Sequence, residues 1–405
     1  MAPFFVIGPT SESAVMAETI THKVLLAVLL LVAFSVPFHF YPVGFFLEEF
    51  IAAAAAILGG AVAWAFAPRE RAVSEALVLW LVWGLVMLAA YLNGSYSLPA
   101  PGLWALVYWT VATLAIVWFG RLRECWGAER TIHLIAGFMV LALIMQVLLG
   151  TAKFYGFLRV VYIPEMPTSR MPGLLNQYNV TAAFITVGLI SVLYLSLKGK
   201  FGFLLQVLLA AMGGCTLSLT DTRAVWLYLV VILVAIGMYL SSVDDRGERR
   251  TGIGKSAVFF AAILSGFFGA GHIDDVLTSL GPSNLGRPSI EQADSTRTVA
   301  DPGIRVAEAR KALEGVSDNP YLGVGPNNYP YFSFEMDARL DNLRRSGNVT
   351  GHSHNIFTMI LAEQGVIGLA VFLVLGGYAA FRVFRLERSL EWFWLASVLG
   401  VFFVY

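Results

Sequence analysis

Two histidines and a small set of arginines are the side chains here best equipped for chemistry. His352 and His354 stand two apart in GHSHNIFTMILAEQG, directly ahead of an apolar run. Imidazole titrates near neutrality, which suits His354 to take a proton as a general base. Two histidines at this spacing can also ligate zinc from an extended segment, but no third ligand is placed near them and no metal site is expected. Glu363 and Gln364 lie deeper in the same run. An ionisable group at that depth faces a bundle interior or polar cavity, where it can hold an arginine, orient a histidine or join a structural ion pair. The arginines are Arg170 in TSRMPGLLNQYNV, Arg223 in the short turn TDTR and Arg305 in DPGIRVAEARKALEG. A guanidinium keeps its charge, and its planar fork can grip two oxygens of an anion. Arg223 has a plainer alternative in an ion pair with Asp221. Asn176 and Asn179 precede or open an apolar run, where they can cap a helix or hydrogen-bond a substrate.

The elements that must position these groups are membrane helices. Hydrophobic residues make up 58% of the 405 residues and charged ones 13%, about half the charge of an ordinary soluble domain; mean hydropathy is +0.71. Apolar runs fall near 24–40, 45–66, 76–92, 102–119, 132–149, 179–196, 201–219, 224–241, 255–271, 356–381 and from 392 onward, eleven in all, with 201–219 the weakest. The chain reaches Tyr405 inside an apolar run, which leaves room for a twelfth span. The first 23 residues carry no cleavage-like signal, so the first run is expected to be a retained span. Equal numbers of basic and acidic residues, 27 each, and no polybasic tail speak against nucleic acid. Cys125 and Cys215 have no spacing pattern around them and suggest neither a disulfide nor a metal site.

Basic residues follow the even-numbered runs: Arg69 and Arg71, then Arg121, Arg123 and Arg130, Lys198 and Lys200, Arg246 to Lys255, and Arg382 to Arg388. The positive-inside rule therefore places the N-terminus and the even connections in the cytoplasm, and the odd connections outside or in the periplasm. The stretch 150–178, the TDTR turn and the connection from His272 to His354 then share one side. Arginine is disfavoured there, so Arg170, Arg223 and Arg305 need a reason to be present, whereas Arg159 reads as an interface charge. The last connection is far longer than ordinary ones, which points to function. Within it Asp301 as N-cap, Pro302 in the first turn and Gly315 as terminator predict a helix, followed by a turn-rich, aromatic NPYLGVGPNNYPYF. The expected division is 1–271 for nine N-terminal spans, 272–354 for the large loop and 355–405 for the C-terminal spans.

Three stretches resemble the O-antigen ligase and polymerase superfamily of integral membrane glycosyltransferases. RMPGLLNQYNVTAAF is similar to its arginine, glycine and asparagine motif ahead of a span. LTDTRAVWLYL is similar to its short arginine-bearing periplasmic turn, although many relatives carry serine before the arginine and glycine after it. GIRVAEARKALEGVSDNPYLGVGPNNY through GHSHNIFTMILAEQGVIG is similar to its large loop and the span that follows. The resemblance covers about residues 165–375; the first 150 residues contribute only span count.

The resemblance implies an all-α polytopic membrane protein, a bundle of 11–12 transmembrane helices with a partly helical periplasmic cap, resembling GT-C-type glycosyltransferases. It implies a bacterial inner-membrane enzyme whose site faces the periplasm. Its donor would be an undecaprenyl-diphosphate-linked glycan and its acceptor lipid A-core, in a setting of membrane lipid, with no cofactor. O-antigen ligation is the first expectation. Polymerisation on a second lipid-linked glycan, transfer to protein hydroxyls and lipid-glycan transport are the alternatives. A secondary transporter would show an internal repeat and midplane ion pairs, and neither is evident. Carried over, Arg223, Arg170 and Arg305 would hold the diphosphate, and His354 would be the base. His352, Asn176, Asn179 and Glu363 would contact substrate.

Overall fold

A computed structural model of the protein describes residues 75–93, 99–155, 157, 178–280, 310–317, 319–329, 332 and 356–404. Apolar runs 24–40 and 45–66 lie outside the described residues, and the other nine are helical. The helices are α1 (Glu75–Asn93), α2 (Pro99–Phe154), α3 (Tyr178–Leu197), α4 (Phe203–Thr220), α5 (Ala224–Ser242), α6 (Arg246–Leu280), α7 (310–317), α8 (Ile356–Phe384) and α9 (Leu390–Val404). No strand occurs among the described residues. Among the described residues, six segments, Gly127–Phe154, Asn179–Leu197, α4, α5, α6 and α8, are long and apolar enough to cross a membrane. Leu77–Asn93 and α9 are shorter apolar helices. Large apolar side chains point outward, Phe268 at 73% exposure and Leu204 at 80%, as expected where the surrounding solvent is lipid.

Runs 102–119 and 132–149 were expected as two spans joined by a basic connection. They are two helices that abut within α2, with the break inside the basic stretch at Gly127, at φ 79°, a conformation open to glycine because it has no Cβ.

The chain forms two compact units: Met1–Glu70, Val117–Arg287 and Leu386–Tyr405 make one, and Arg71–Ile116 with Pro288–Arg385 the other. In the first, α4 and α6 pack closely. A Cβ on Gly214 would lie 2.1 Å from the Ile263 carbonyl oxygen, and one on Gly266 would lie 1.9 Å from that of Ala211. In lipid, helix association depends on such close approach, since burial against a neighbour gains nothing over burial in acyl chains. Gly214→Ala and Gly266→Ala should each cost about 1–3 kcal/mol by overpacking. Thermal unfolding in detergent measures this; a wild-type midpoint for both variants would show that the contact can part freely.

Antiparallel α3 and α4 place two polar clusters at opposite ends of this unit. At one end Ser196 donates to Gln206, Gln206 Nε2 donates to the Lys255 carbonyl (3.1 Å), and Lys255 Nζ returns to the Ser196 carbonyl (2.8 Å). Beside it Lys198 bridges Glu129 (2.9 Å) and Glu391 (2.8 Å), tying α2, α3 and α9 together. Burial alone would lower the Lys198 pKa, but hydrogen bonds and charge from Glu391 and Glu129 outweigh it and hold the ammonium above its ordinary value. This end also carries Lys200, Arg246, Arg249 and Arg250, so the basic residues after runs 179–196 and 224–241 lie at the same end of this unit. The opposite end carries Asn179, Thr222 and Arg223.

Candidate functional site

In the first unit, α4 ends at Thr220, Asp221 takes the left-handed conformation (φ 49°), and Arg223 precedes α5. Aspartate tolerates this conformation better than most residues, which lets a three-residue turn reverse the chain. Thr222 is turned inward and buried, and its hydroxyl donates to Asn179 Oδ1 at 3.3 Å. Two of the three motif stretches therefore meet: Asn179, in the first turn of α3, buttresses the turn that presents Arg223. Arg223 is exposed, and among the described residues its side chain has no hydrogen-bond or ion-pair partner. The alternative ion pair with Asp221 is not formed. A guanidinium left free at the end of an apolar bundle is available to an anion.

A second polar group at this end was missed in the sequence. Tyr155, almost fully buried, donates its hydroxyl to Asp274 at 2.6 Å. Tyr155 packs with Phe154, Cys215, Leu219 and Ala270, and Asp274 extends from the last turns of α6. The only signal for the pair was an aspartate just past an apolar run, which has no distinctive spacing.

Glu363 belongs to the second unit and is buried on α8. Its carboxylate accepts the backbone N–H of Tyr329 at 3.3 Å and that of Asn327. Neighbouring Gln364 accepts the indole N–H of Trp83 on α1 at 2.7 Å. The glycines of GVG take positive φ, 68° at Gly323 and 104° at Gly325, and both are buried. Helix α7 confirms part of the expected loop helix. Gly315 does not end it: α7 continues to 317, and Gly315 is instead a close-packing point, where a Cβ would lie 3.1 Å from Phe332.

Of the expected site residues, the structure brings Asn179 to the turn bearing Arg223 and places Glu363 in the second unit. Arg170, Asn176, Arg305, His352 and His354 lie outside the described residues.

A family model described as O-antigen ligase matches residues 207–373. The matched segment runs from α4 into α8 and includes Arg223, Arg305, His354 and Glu363. It supports membership in the O-antigen ligase and polymerase superfamily without assigning a role inside it. With the apolar helical bundle, it supports a multi-pass membrane protein similar over that segment to the O-antigen ligase family. No curated protein and no solved structure matches the chain.

Proposed function

We propose that this chain is an O-antigen ligase of the bacterial inner membrane, with a cytoplasmic N-terminus and a site facing the periplasm. It transfers a preassembled glycan from undecaprenyl diphosphate to a sugar hydroxyl of lipid A-core. The acceptor oxygen attacks the anomeric carbon, and the bond from that carbon to the diphosphate oxygen breaks. The electron pair leaves with undecaprenyl diphosphate, and the acceptor's proton passes to His354. One displacement inverts the anomeric configuration. Arg223, with Arg170 and Arg305, holds the charge that grows on the leaving oxygens, which makes the transfer independent of metal. Asn179 and Asn176 line the donor side, and His352 reads the acceptor.

The observation that carries this reading is Arg223: exposed, without a counter-ion among the described residues, at the end of an apolar bundle and inside the matched segment. Holding such a cation beside lipid without an anion is costly. The test is purified protein with undecaprenyl-diphosphate glycan and EDTA, offered lipid A-core, a second lipid-linked glycan or a hydroxyl-bearing peptide. Product on lipid A-core is expected. Chain growth on the second lipid would make the protein a polymerase, product on the peptide would make it a protein oligosaccharyltransferase, and no product with any of the three would remove the transferase reading.

A further inference from the structure

Helix α8 is two half-helices. Its backbone breaks at Gly365 (φ 65°, ψ −167°), although the run around it is apolar and, read as sequence, continuous. A break inside a membrane helix frees carbonyls on one side and amides on the other, and lipid cannot satisfy them. Here residues 320–325 satisfy them with their own backbone. Val324 N–H donates to the Ala362 carbonyl (2.8 Å) and Gly325 N–H to that of Glu363 (3.0 Å). In return Val366 N–H donates to the Pro320 carbonyl (2.9 Å) and Ile367 N–H to that of Tyr321 (3.4 Å). The two backbones are in contact: a Cβ on Gly323 would lie 2.3 Å from the Ala362 oxygen, and one on Gly365 would lie 2.3 Å from Tyr321. The Glu363 side chain closes the join by accepting the N–H groups of Tyr329 and Asn327, while Gln364 is held by Trp83.

We propose that Glu363 is a positioning residue, a carboxylate lock that fixes the 319–329 segment into the break of α8 and so sets the half-helix 356–364, which His354 precedes by two residues in the chain. Its role is then to hold the backbone that orients the base rather than to touch substrate. The catalytic part rests on the proposed transferase reading; the lock itself does not.

Two measurements on the full-length protein separate these layers: amide hydrogen exchange across 319–332, and steady-state transfer to lipid A-core. Leaving a buried N–H without its acceptor corresponds to about a five- to hundredfold change in a local opening equilibrium. Glu363→Ala should accelerate exchange in that segment by about this factor and lower kcat at least about tenfold, with donor KM within about twofold. Glu363→Gln keeps a carbonyl acceptor and should recover most of both. Gly323→Ala, which wedges the same join from the opposite side, should reproduce Glu363→Ala.

Unchanged exchange in Glu363→Ala and Gly323→Ala would overturn the lock. Faster exchange with wild-type kcat would overturn the positioning role. A raised donor KM with unchanged exchange would return Glu363 to substrate binding. Should the wild-type protein transfer to no acceptor, the transferase reading falls and the exchange data still decide the lock.

Discussion

Arg223→Ala is expected to reduce glycan transfer by about a hundred- to a thousandfold, the range seen when a preorganised donor to a developing negative charge is removed. The loss should fall mainly on kcat, because the diphosphate gains charge as its bond to the sugar breaks, while the ground-state diphosphate keeps its other contacts. Arg223→Lys retains the charge and loses the fork, so it should recover only part of the rate. Neither variant should alter folding appreciably, because the side chain is exposed and unpartnered among the described residues. Initial rates at saturating and limiting donor, with unfolding midpoints measured alongside, make the comparison. Activity within a few-fold of wild type would reduce Arg223 to a topology charge.

His354→Ala should be as severe, about a hundred- to ten-thousandfold, the usual contribution of a positioned general base. A base must be unprotonated to act, so wild-type rates should fall toward acid pH, and that dependence should disappear in the variant. A small diffusible base such as imidazole should restore part of the rate. His352→Ala should show a much smaller effect and keep the acid limb. If His354→Ala kept both the wild-type rate and its pH dependence, the acceptor would be deprotonated elsewhere, and Asp274, already hydrogen-bonded by Tyr155, would become the group to test.

Hydropathy made most of the helices legible, because an apolar run in lipid has few alternatives to helix. Even the weakest run, 201–219, became α4. What hydropathy could not report was why α4 packs so closely on α6. Gly214 and Gly266 are ordinary residues in an apolar context until the partner backbone is known. The polar ring of Ser196, Gln206 and Lys255 was hidden for the same reason: each residue looks like a stray polar group at the margin of a run, and the pairing joins three helices.

The candidate site divides along similar lines. Arg223 stood out because an arginine in a tight turn opposite the basic side contradicts a strong charge bias. Its support by Asn179 through Thr222 was invisible, since nothing in TDTR distinguishes an inward threonine from an outward one. Glu363 was recognisable as a buried carboxylate by its depth in a span. The expected partners were an arginine or a histidine, because side-chain charge is what a sequence displays. The observed partners are backbone amides of a segment more than thirty residues earlier, and the break at Gly365 that brings them together leaves no mark in hydropathy.

The central claim is that this protein breaks the bond between a glycan and its lipid diphosphate. The most direct measurement follows both products from a donor labelled in the lipid and in the sugar, in the purified protein with lipid A-core present. Ligation predicts one undecaprenyl diphosphate released, both phosphates intact, for every glycan that appears on lipid A-core, and both products reduced together at least about a hundredfold with Arg223→Ala or His354→Ala. Donor that stays whole, with its lipid, diphosphate and glycan still joined while the protein is folded and the acceptor is present, would contradict the account.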